Sequence, residues 1–546
     1  MPAIRPKVQL ATHQVVNQPP PLPSYNAYAD DALLQPLTLD DPETRALLTD
    51  FGACCGAEAT RELGRLANEN PPRLRAFDRY GQRLDEVEFH PAYHELMALG
   101  LGHGVASRAW THPLGGHTQH AALMMLMTAA DSGVTCPMSM TYAVVPALRQ
   151  ADWAAREWIP RVAAAAYDPR SIPAPEKTAA TMGMAMTEKQ GGSDVRANTT
   201  RAEIVGDDEA LLTGHKWFCS APMSDAFLTL AYEEAGLSCF LVPRWRPDGE
   251  RNAIEIERLK DKLGDRSNAS SEIEYRGAWA RRVGEAGRGV ATIIQMVQLT
   301  RFDCVLGAAG LMRRALVEAM WHAAHRTAFQ RRLIDQPLMA LTLADVAIEV
   351  EAAIALAWRL GEALDAEDDP TQGLFARLAT PAAKYWVTKR CPMVVNECLE
   401  THGGVGYVEE TPMPRLFRQS PLNAIWEGSG NVIALDVLRA LGREPESLDA
   451  VMAELRSVAG AHAALDRLAA EIAATVLHPP REAGMRRFVE RLAIALQAAT
   501  LLRTAPNFVA DAFVNLRIAA PAFQFGASEA EIDTEAILRR AAISAD

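Results

Sequence analysis

From Pro42 to about Thr181 apolar residues recur at helical spacing, as in Leu96–Ala109 and Thr118–Ala130. Pro71-Pro72, Pro91, Pro113 with Gly115-Gly116, and Pro137 break them at helical lengths. Between about Gly183 and Arg282 the period shortens to alternation. Arg201–Val205, Ala226–Tyr232, Ser238–Val242, Ile254–Leu259 and Ser271–Tyr275 read as strands separated by turn residues. Helical periodicity returns from Ala291 to Arg439, interrupted at Glu367-Asp368-Asp369-Pro370 and at the glycine-rich stretch from His402 to Tyr407. After Gly442 an alanine-rich segment shows helical patterns at Leu448–Leu468 and Arg486–Leu502, broken at Pro479-Pro480. Asn17–Leu37, with Pro19-Pro20-Pro21-Leu22-Pro23, reads as an extended arm. The pattern predicts a mainly α chain with a middle β domain. Its units are an arm (1–40), a helical domain (41–182), a β domain (183–285), a helical bundle (286–441) and an extra helical segment (442–546).

A chain of 546 residues exceeds what one core serves, in line with several packed units. The longest largely apolar run, Ala121–Ala130, is far too short to cross a bilayer, and the first residues lack the features of a secretory signal. A cytoplasmic location without membrane contact is expected. The eight cysteines form neither C-x-x-C pairs nor zinc-type spacings, so no metal is expected. The net charge of −13 makes the whole molecule a poor partner for polyanions. The last segment, Glu444–Asp546, holds 10 Arg, no Lys and 14 acidic residues, a balance of −4. Any DNA-binding face there would have to come from clustering of Arg481, Arg486, Arg487, Arg491 and Arg503, which also fit a solvated helix surface.

Three stretches carry candidate chemistry. Ala185–Asp194 places Gly191-Gly192-Ser193-Asp194 at the entry to the β domain, a turn that suits a phosphate or polar ring edge and equally a plain helix-to-strand connection. Glu188 within it is read as structural. Gly214–Ser220 offers the face of Trp217 with Phe218, Cys219 and Ser220 for a heteroaromatic ring; a core tryptophan fits as well. Gly284–Gly289 lacks the glycine order and βαβ setting of a dinucleotide fingerprint. The third stretch runs through Glu400–Tyr407 and Pro414–Arg418 to Ile425–Asn431. Glu427 before Gly428 is the best general-base candidate there, and a structural Glu before a turn is the alternative. Asn431, Leu435 and Arg439 then share one helix face. His402 has no readable partner and is taken as structural.

These residues resemble the acyl-CoA dehydrogenase family: Ala185–Ala197 fits its first signature and Glu400–Arg418 nearly all of its second. Gln419, where the second signature usually ends in an acid, is read as a surface change. The wording MTEKQGGSDVRANTTRAE, GHKWF, RLKDKLGDRSNAS, LTRFDC and IWEGSGN resembles the AidB-like, alkylation-response branch, from about Asn17 to Leu441.

The resemblance implies the acyl-CoA dehydrogenase fold with an extra C-terminal helical segment, and one noncovalent FAD per subunit. It implies that Met184, Met186, Thr187, Gly192 and Ser193 line the flavin, and that Trp217, Phe218, Cys219 and Ser220 stack on it and meet its reactive edge. Arg326, Phe329 and Gln336 match the segment lent to the FAD of a neighbouring subunit, which implies a dimer or, as is usual in the family, a homotetramer. Ile425, Trp426, Gly428, Asn431 and Arg439 should close the pocket, with Glu427 as the catalytic base. An alternative base position used in the family falls on Thr300, which cannot serve. The implied activity is α,β-dehydrogenation of an acyl-CoA thioester, weak in this branch and linked to a DNA-protective role. The competing expectation is a protective protein that binds duplex DNA weakly and without sequence preference, using the flavin fold as a scaffold.

Overall fold

The computed structural model describes residues 10–35, 41–476 and 480–543. The first nine residues of the expected arm, its junction with the helical domain, and Pro479 of the expected break lie outside the described residues.

The N-terminal unit begins with α1 (Pro42–Gly56), started by Asp41, whose carboxylate accepts from the Glu43 and Thr44 N–H groups, with Pro42 in the first turn. Then come α2 (Glu58–Glu69), α3 (Pro91–Gly102), α4 (Arg108–Thr111), α5 (Gly116–Ala130), α6 (Thr135–Ala143), α7 (Val145–Leu148) and α8 (Asp152–Val162). Between the expected breaks at Pro71-Pro72 and Pro91, where a helix was expected, the chain forms an antiparallel hairpin of β1 (Arg73–Phe77) and β2 (Arg83–Glu88). The two strands are short and rich in Arg and Glu, so their alternation carries little apolar signal. Helix α5 is buried on nearly every side, which is why its apolar run has no polar stripe.

The middle unit is a seven-stranded sheet of β3 (Met182–Ala185), β4 (Arg201–Ile204), β5 (Glu209–Ser220), β6 (Ala226–Glu233), β7 (Gly236–Pro243), β8 (Ile254–Leu259) and β9 (Ser270–Val283). Its order is β3-β6-β4-β5-β9-β7. A further β6–β7 pairing closes the path into a barrel, with β8 added beside β9. The sequence pattern missed β5, whose bulges disturb alternation, and β3, which is only four residues long.

Three long helices, α9 (Gly289–His325), α10 (Pro337–Asp365) and α11 (Pro370–Thr401), form the C-terminal bundle with α12 (Met413–Gln419) and α13 (Gly430–Arg443). The extra segment supplies α14 (Glu446–Arg456), α15 (Ala463–Ala473), α16 (Met485–Thr504), α17 (Asn507–Val514) and α18 (Thr534–Ala541). It is welded to the bundle: α16 packs on α10, α11 and α13, and α18 packs on α10. Buried ion pairs cross the seam, Arg517 with Asp345 and Glu349 (both 2.6 Å) and Arg359 with Glu454 (3.0 Å). Among the described residues no helix is long and apolar enough to cross a membrane.

Candidate active site

The loop from Met186 to Thr200 is organised around Glu188. Its carboxylate, essentially unexposed, accepts from the Thr199 N–H (2.6 Å), the Thr200 hydroxyl (2.6 Å), the Gln190 amide (2.7 Å) and the Lys216 ammonium (2.8 Å). Lys216 also donates to the Leu230 carbonyl at 2.9 Å. Burial alone would raise the Glu188 pKa, but the Lys216 charge and these donors outweigh it and hold it at about 2. Glu188 is thus structural, as its sequence context suggested. The clasp presents Met184, Met186 and Thr187 half-buried and leaves Gly192 and Ser193 on the open side of the turn.

The β5–β9 ladder breaks register between Lys216 and Cys219, and this bulge lifts Trp217 and Phe218 out of the pairing. The Trp217 N–H donates to the Thr187 carbonyl at 2.7 Å, joining the aromatic wall to the glycine-rich turn. Lys260 caps one face of the Trp217 ring, 3.3 Å from its centroid. Ser220 is half-buried beside Ser270 (3.1 Å). Cys219 corrects the expectation: alternation after the bulge turns its side chain into the barrel core, where burial pushes the thiol up to about 12, so it cannot meet a ring at the open face.

Glu427 sits at the centre of a pinned reversal. It adopts φ +59° and Gly428 φ +106°, and a non-glycine residue in this region costs about 1–3 kcal/mol. Lys384 of α11 donates to the Trp426 carbonyl at 2.8 Å and also to the Gly428 carbonyl. Arg301 of α9 donates to the Glu427 carbonyl at 3.1 Å and pairs with Asp436 at 2.7 Å. Both cations are nearly fully buried. Glu427 is half-buried as a residue, yet its Oε2 is sealed from solvent and has no hydrogen-bond partner. Burial raises its pKa; the Arg301 charge, the nearby Thr300 hydroxyl and the Lys384 charge pull partly the other way. Such a carboxylate, positioned, desolvated and unspent, is equipped to take a proton.

The remaining expected site residues fall into two places. Ile425 and Asn431 are exposed beside half-buried Trp426 and Gly428 on the Glu427 turn. Arg439, also exposed, lies 3.5 Å from Asp436, which Arg301 and Arg377 share. Arg326, Phe329 and Gln336 lie apart on a projecting hairpin after α9. Asn17 pins it by bonding Thr327 at 2.7 and 2.8 Å and by accepting from Arg326; Gln336 donates to Ala328 at 3.0 Å. Phe329 stands at its tip, 93 % exposed.

Comparison with known proteins decides the lineage. The family described as adaptive response protein AidB N-terminal domain matches residues 17–169, and the acyl-CoA dehydrogenase middle and C-terminal domains match 183–278 and 287–442. The putative acyl-CoA dehydrogenase AidB of Escherichia coli K12 is 43 % identical over 93 % of this chain and 94 % of its own. The chain belongs to the AidB branch of the acyl-CoA dehydrogenase family. By family it is an oxidoreductase of the FAD-dependent, CH–CH class. Acyl-CoA dehydrogenase family member 11 of Caenorhabditis elegans is 33 % identical over 77 % of this chain and 71 % of its own. The crystal structure of Caenorhabditis elegans ACDH-11 in complex with C11-CoA superposes with a TM-score of 0.83 at 27 % identity, over 98 % of this chain and 93 % of that one. An acyl-CoA dehydrogenase from Bacillus anthracis, solved with FAD, shares the fold at TM-score 0.68 and 16 % identity, over 87 % and 86 % of the two chains.

Sequence reasoning missed two buried features of this part of the fold. The first is the Lys384–Arg301 clamp. Its signal was present: a lone cation inside an apolar helical run, as in TPAAKYW and LTRFDC, must find a buried partner. The second is Gln419, expected on the surface but buried, where its Oε1 accepts from the Asp265 N–H at 2.6 Å. An amide there accepts that N–H without placing a second carboxylate beside buried Asp265.

Proposed function

We propose that this chain holds FAD and dehydrogenates an acyl-CoA thioester between its α and β carbons, with Glu427 as the base. The observation that carries this reading is the sealed, unpartnered Oε2 of Glu427 on a reversal fixed by Lys384 and Arg301. The residues fit the flavin. Trp217 and Phe218 form an aromatic wall, while Thr187 and Ser193 line the open turn beside it. FAD, when bound, supplies the acceptor for the hydride that leaves the β carbon. Glu427 removes the α proton at its carboxylate. Desolvation makes that carboxylate more basic than one in water, and the clamp fixes its direction. The C11-CoA found with ACDH-11 supports a thioester carrying an apolar chain as the substrate class.

The proposal extends to assembly as a homotetramer, in which the Phe329 hairpin reaches a neighbouring FAD, and to a part in the alkylation response of the branch. Direct DNA contact through α16 finds less support, because Arg491 pairs with Glu471 and Arg503 with Glu454 (2.6 Å). Anaerobic titration of the yellow protein with acyl-CoA thioesters of increasing chain length tests the reading. Loss of flavin absorbance with at least one of them is expected; a flavin that stays oxidised with all of them refutes it.

A further inference from the structure

Helix α11 carries four cations, and three of them hold oxygen acceptors: Arg377 meets Asp436 (3.3 Å) and Glu444 (3.5 Å), Arg390 meets Glu349 (3.2 Å), and Lys384 holds the Trp426 and Gly428 carbonyls. Lys389 is the exception. It is half-buried, and its ammonium lies so close over Gly430 that a Cβ there would stand 2.8 Å from Nζ. Its contact on α11 is the ring of Tyr385, 5.2 Å from Nζ. On the other side, Arg486 of the extra segment reaches the same tyrosine and donates from Nε to its hydroxyl at 3.1 Å. Among the described residues neither cation is ion-paired. Burial and then the Arg486 charge push the Lys389 pKa down, with no carboxylate acting in the opposite direction. Two like charges therefore meet at Tyr385, with Lys389 lying over Gly430 of the turn that carries Glu427. Like charges so placed repel each other, and an anion between them relieves that repulsion.

We propose that Lys389 and Arg486, brought together at Tyr385, form a subsite for a phosphate group of a nucleotide ligand, so that the extra C-terminal segment completes the pocket beside the catalytic turn. The shared chemistry is a phosphate or diphosphate ester, carried by FAD or by the CoA half of the substrate. The proposal rests on the function above only for which nucleotide arrives. Lysine and arginine are the usual phosphate donors, one as a point charge and the other as a fork. Gly430, which has no side chain, lets the Lys389 ammonium lie against the turn. The site also assigns a task to Arg486 other than contact with a nucleic acid.

Full-length wild type, Lys389→Met, Arg486→Gln and the double variant are freed of flavin and titrated with FAD, with riboflavin, with a medium-chain acyl-CoA and with the matching acyl-pantetheine. Removing one charge-assisted contact is expected to weaken the phosphate-bearing ligand by about ten- to a hundredfold. If FAD is the source, FAD weakens while riboflavin does not; if CoA is the source, acyl-CoA weakens while acyl-pantetheine does not. Lys389→Arg should restore most of the loss, and Arg487→Gln, an exposed neighbour on α16, should change nothing. The proposal is overturned if the folded double variant binds FAD and acyl-CoA with wild-type affinity. A wild type that takes up no flavin would refute the FAD reading instead. Calorimetry with inorganic pyrophosphate then decides the subsite: binding that the double variant loses supports it, and no binding to wild type overturns it.

Discussion

Lys384 donates to the Trp426 carbonyl at 2.8 Å, and the same ammonium bonds the Gly428 carbonyl, so one buried cation fixes the peptides on both sides of Glu427. The left-handed conformation of Glu427 follows from this, because only a reversal aims both carbonyls at one point. Replacing Lys384 with Met removes the donor and leaves two carbonyls without it, at a cost of about 1.5–3 kcal/mol in stability. The larger effect is on geometry. Single-turnover flavin reduction by acyl-CoA is expected to slow by about a hundredfold, since small displacements of a reacting group cost that much. Lys384→Arg should recover part of the rate, and flavin absorbance should stay. Unchanged single-turnover rates in Lys384→Met would show that the clamp does not position the base.

Glu427→Gln keeps shape but cannot take a proton. Flavin reduction should fall by about 10²–10⁴-fold while FAD stays bound. In wild type the reductive rate should rise with pH and level off above the raised pKa of Glu427, at a higher pH than an ordinary carboxylate near 4.5 would give. Because the folded state holds this proton more tightly than the unfolded one, Glu427 takes stability away as pH climbs from 4.5 through that raised value. Glu427→Gln should lack this component in thermal melts across that window. A rate already flat at pH values near 4.5 would contradict the assignment.

The Glu188–Lys216 pair has the opposite sign. With its folded pKa held at about 2, Glu188 contributes stability that is fully present above its ordinary value of 4.5 and fades as pH falls toward 2. Glu188→Ala strands a buried ammonium and should cost about 3–5 kcal/mol. It should also loosen the Met186–Thr200 turn, so FAD retention after gel filtration should drop. A variant that melts like wild type at neutral pH would mean that Lys216 finds another partner.

The Phe329 hairpin gives a prediction on assembly. A phenylalanine 93 % exposed at a tip with φ +51° is poorly accounted for by the single chain and well suited to a neighbour's surface. Phe329→Asp is expected to lower the mass measured by light scattering and to release FAD together with it. A wild-type mass of one chain at micromolar concentration would remove the homotetramer.

How far the sequence foretold the molecule depends on whether a signal is local. The helix-strand-helix order was legible, because apolar periodicity is written in consecutive residues; the Gly191-Gly192 turn, Trp217 and Glu427 stood out as candidates from local motifs, and their roles came from the family resemblance. The hairpin at 73–88 was not legible, since RLRAF and RLDEVE are short and charged and offer only Leu74, Ala76 and Val87 to an inner face. Cys219 was misplaced because a bulge between Lys216 and Cys219 reverses which residues face the core. Lys384, Arg301 and Arg486 act across the fold on atoms far away in sequence, most of them backbone carbonyls that no side-chain motif reports.

The same distinction bears on nucleic acid. Read along the chain, Arg481, Arg486, Arg487, Arg491 and Arg503 fitted either one basic face or a solvated helix surface; in the fold Arg486 turns to Tyr385, Arg491 to Glu471 and Arg503 to Glu454. Each ion pair neutralises a charge that a phosphate would need, and the segment as a whole is acidic by four charges. Duplex affinity measured against salt concentration should therefore have the same slope for wild type and for the Arg487→Gln, Arg491→Gln double variant. A real phosphate contact at either residue would lower that slope by about one per arginine lost. A reduced slope would place DNA on α16 after all, and superimposable curves would leave the flavin pocket as the site through which this protein acts.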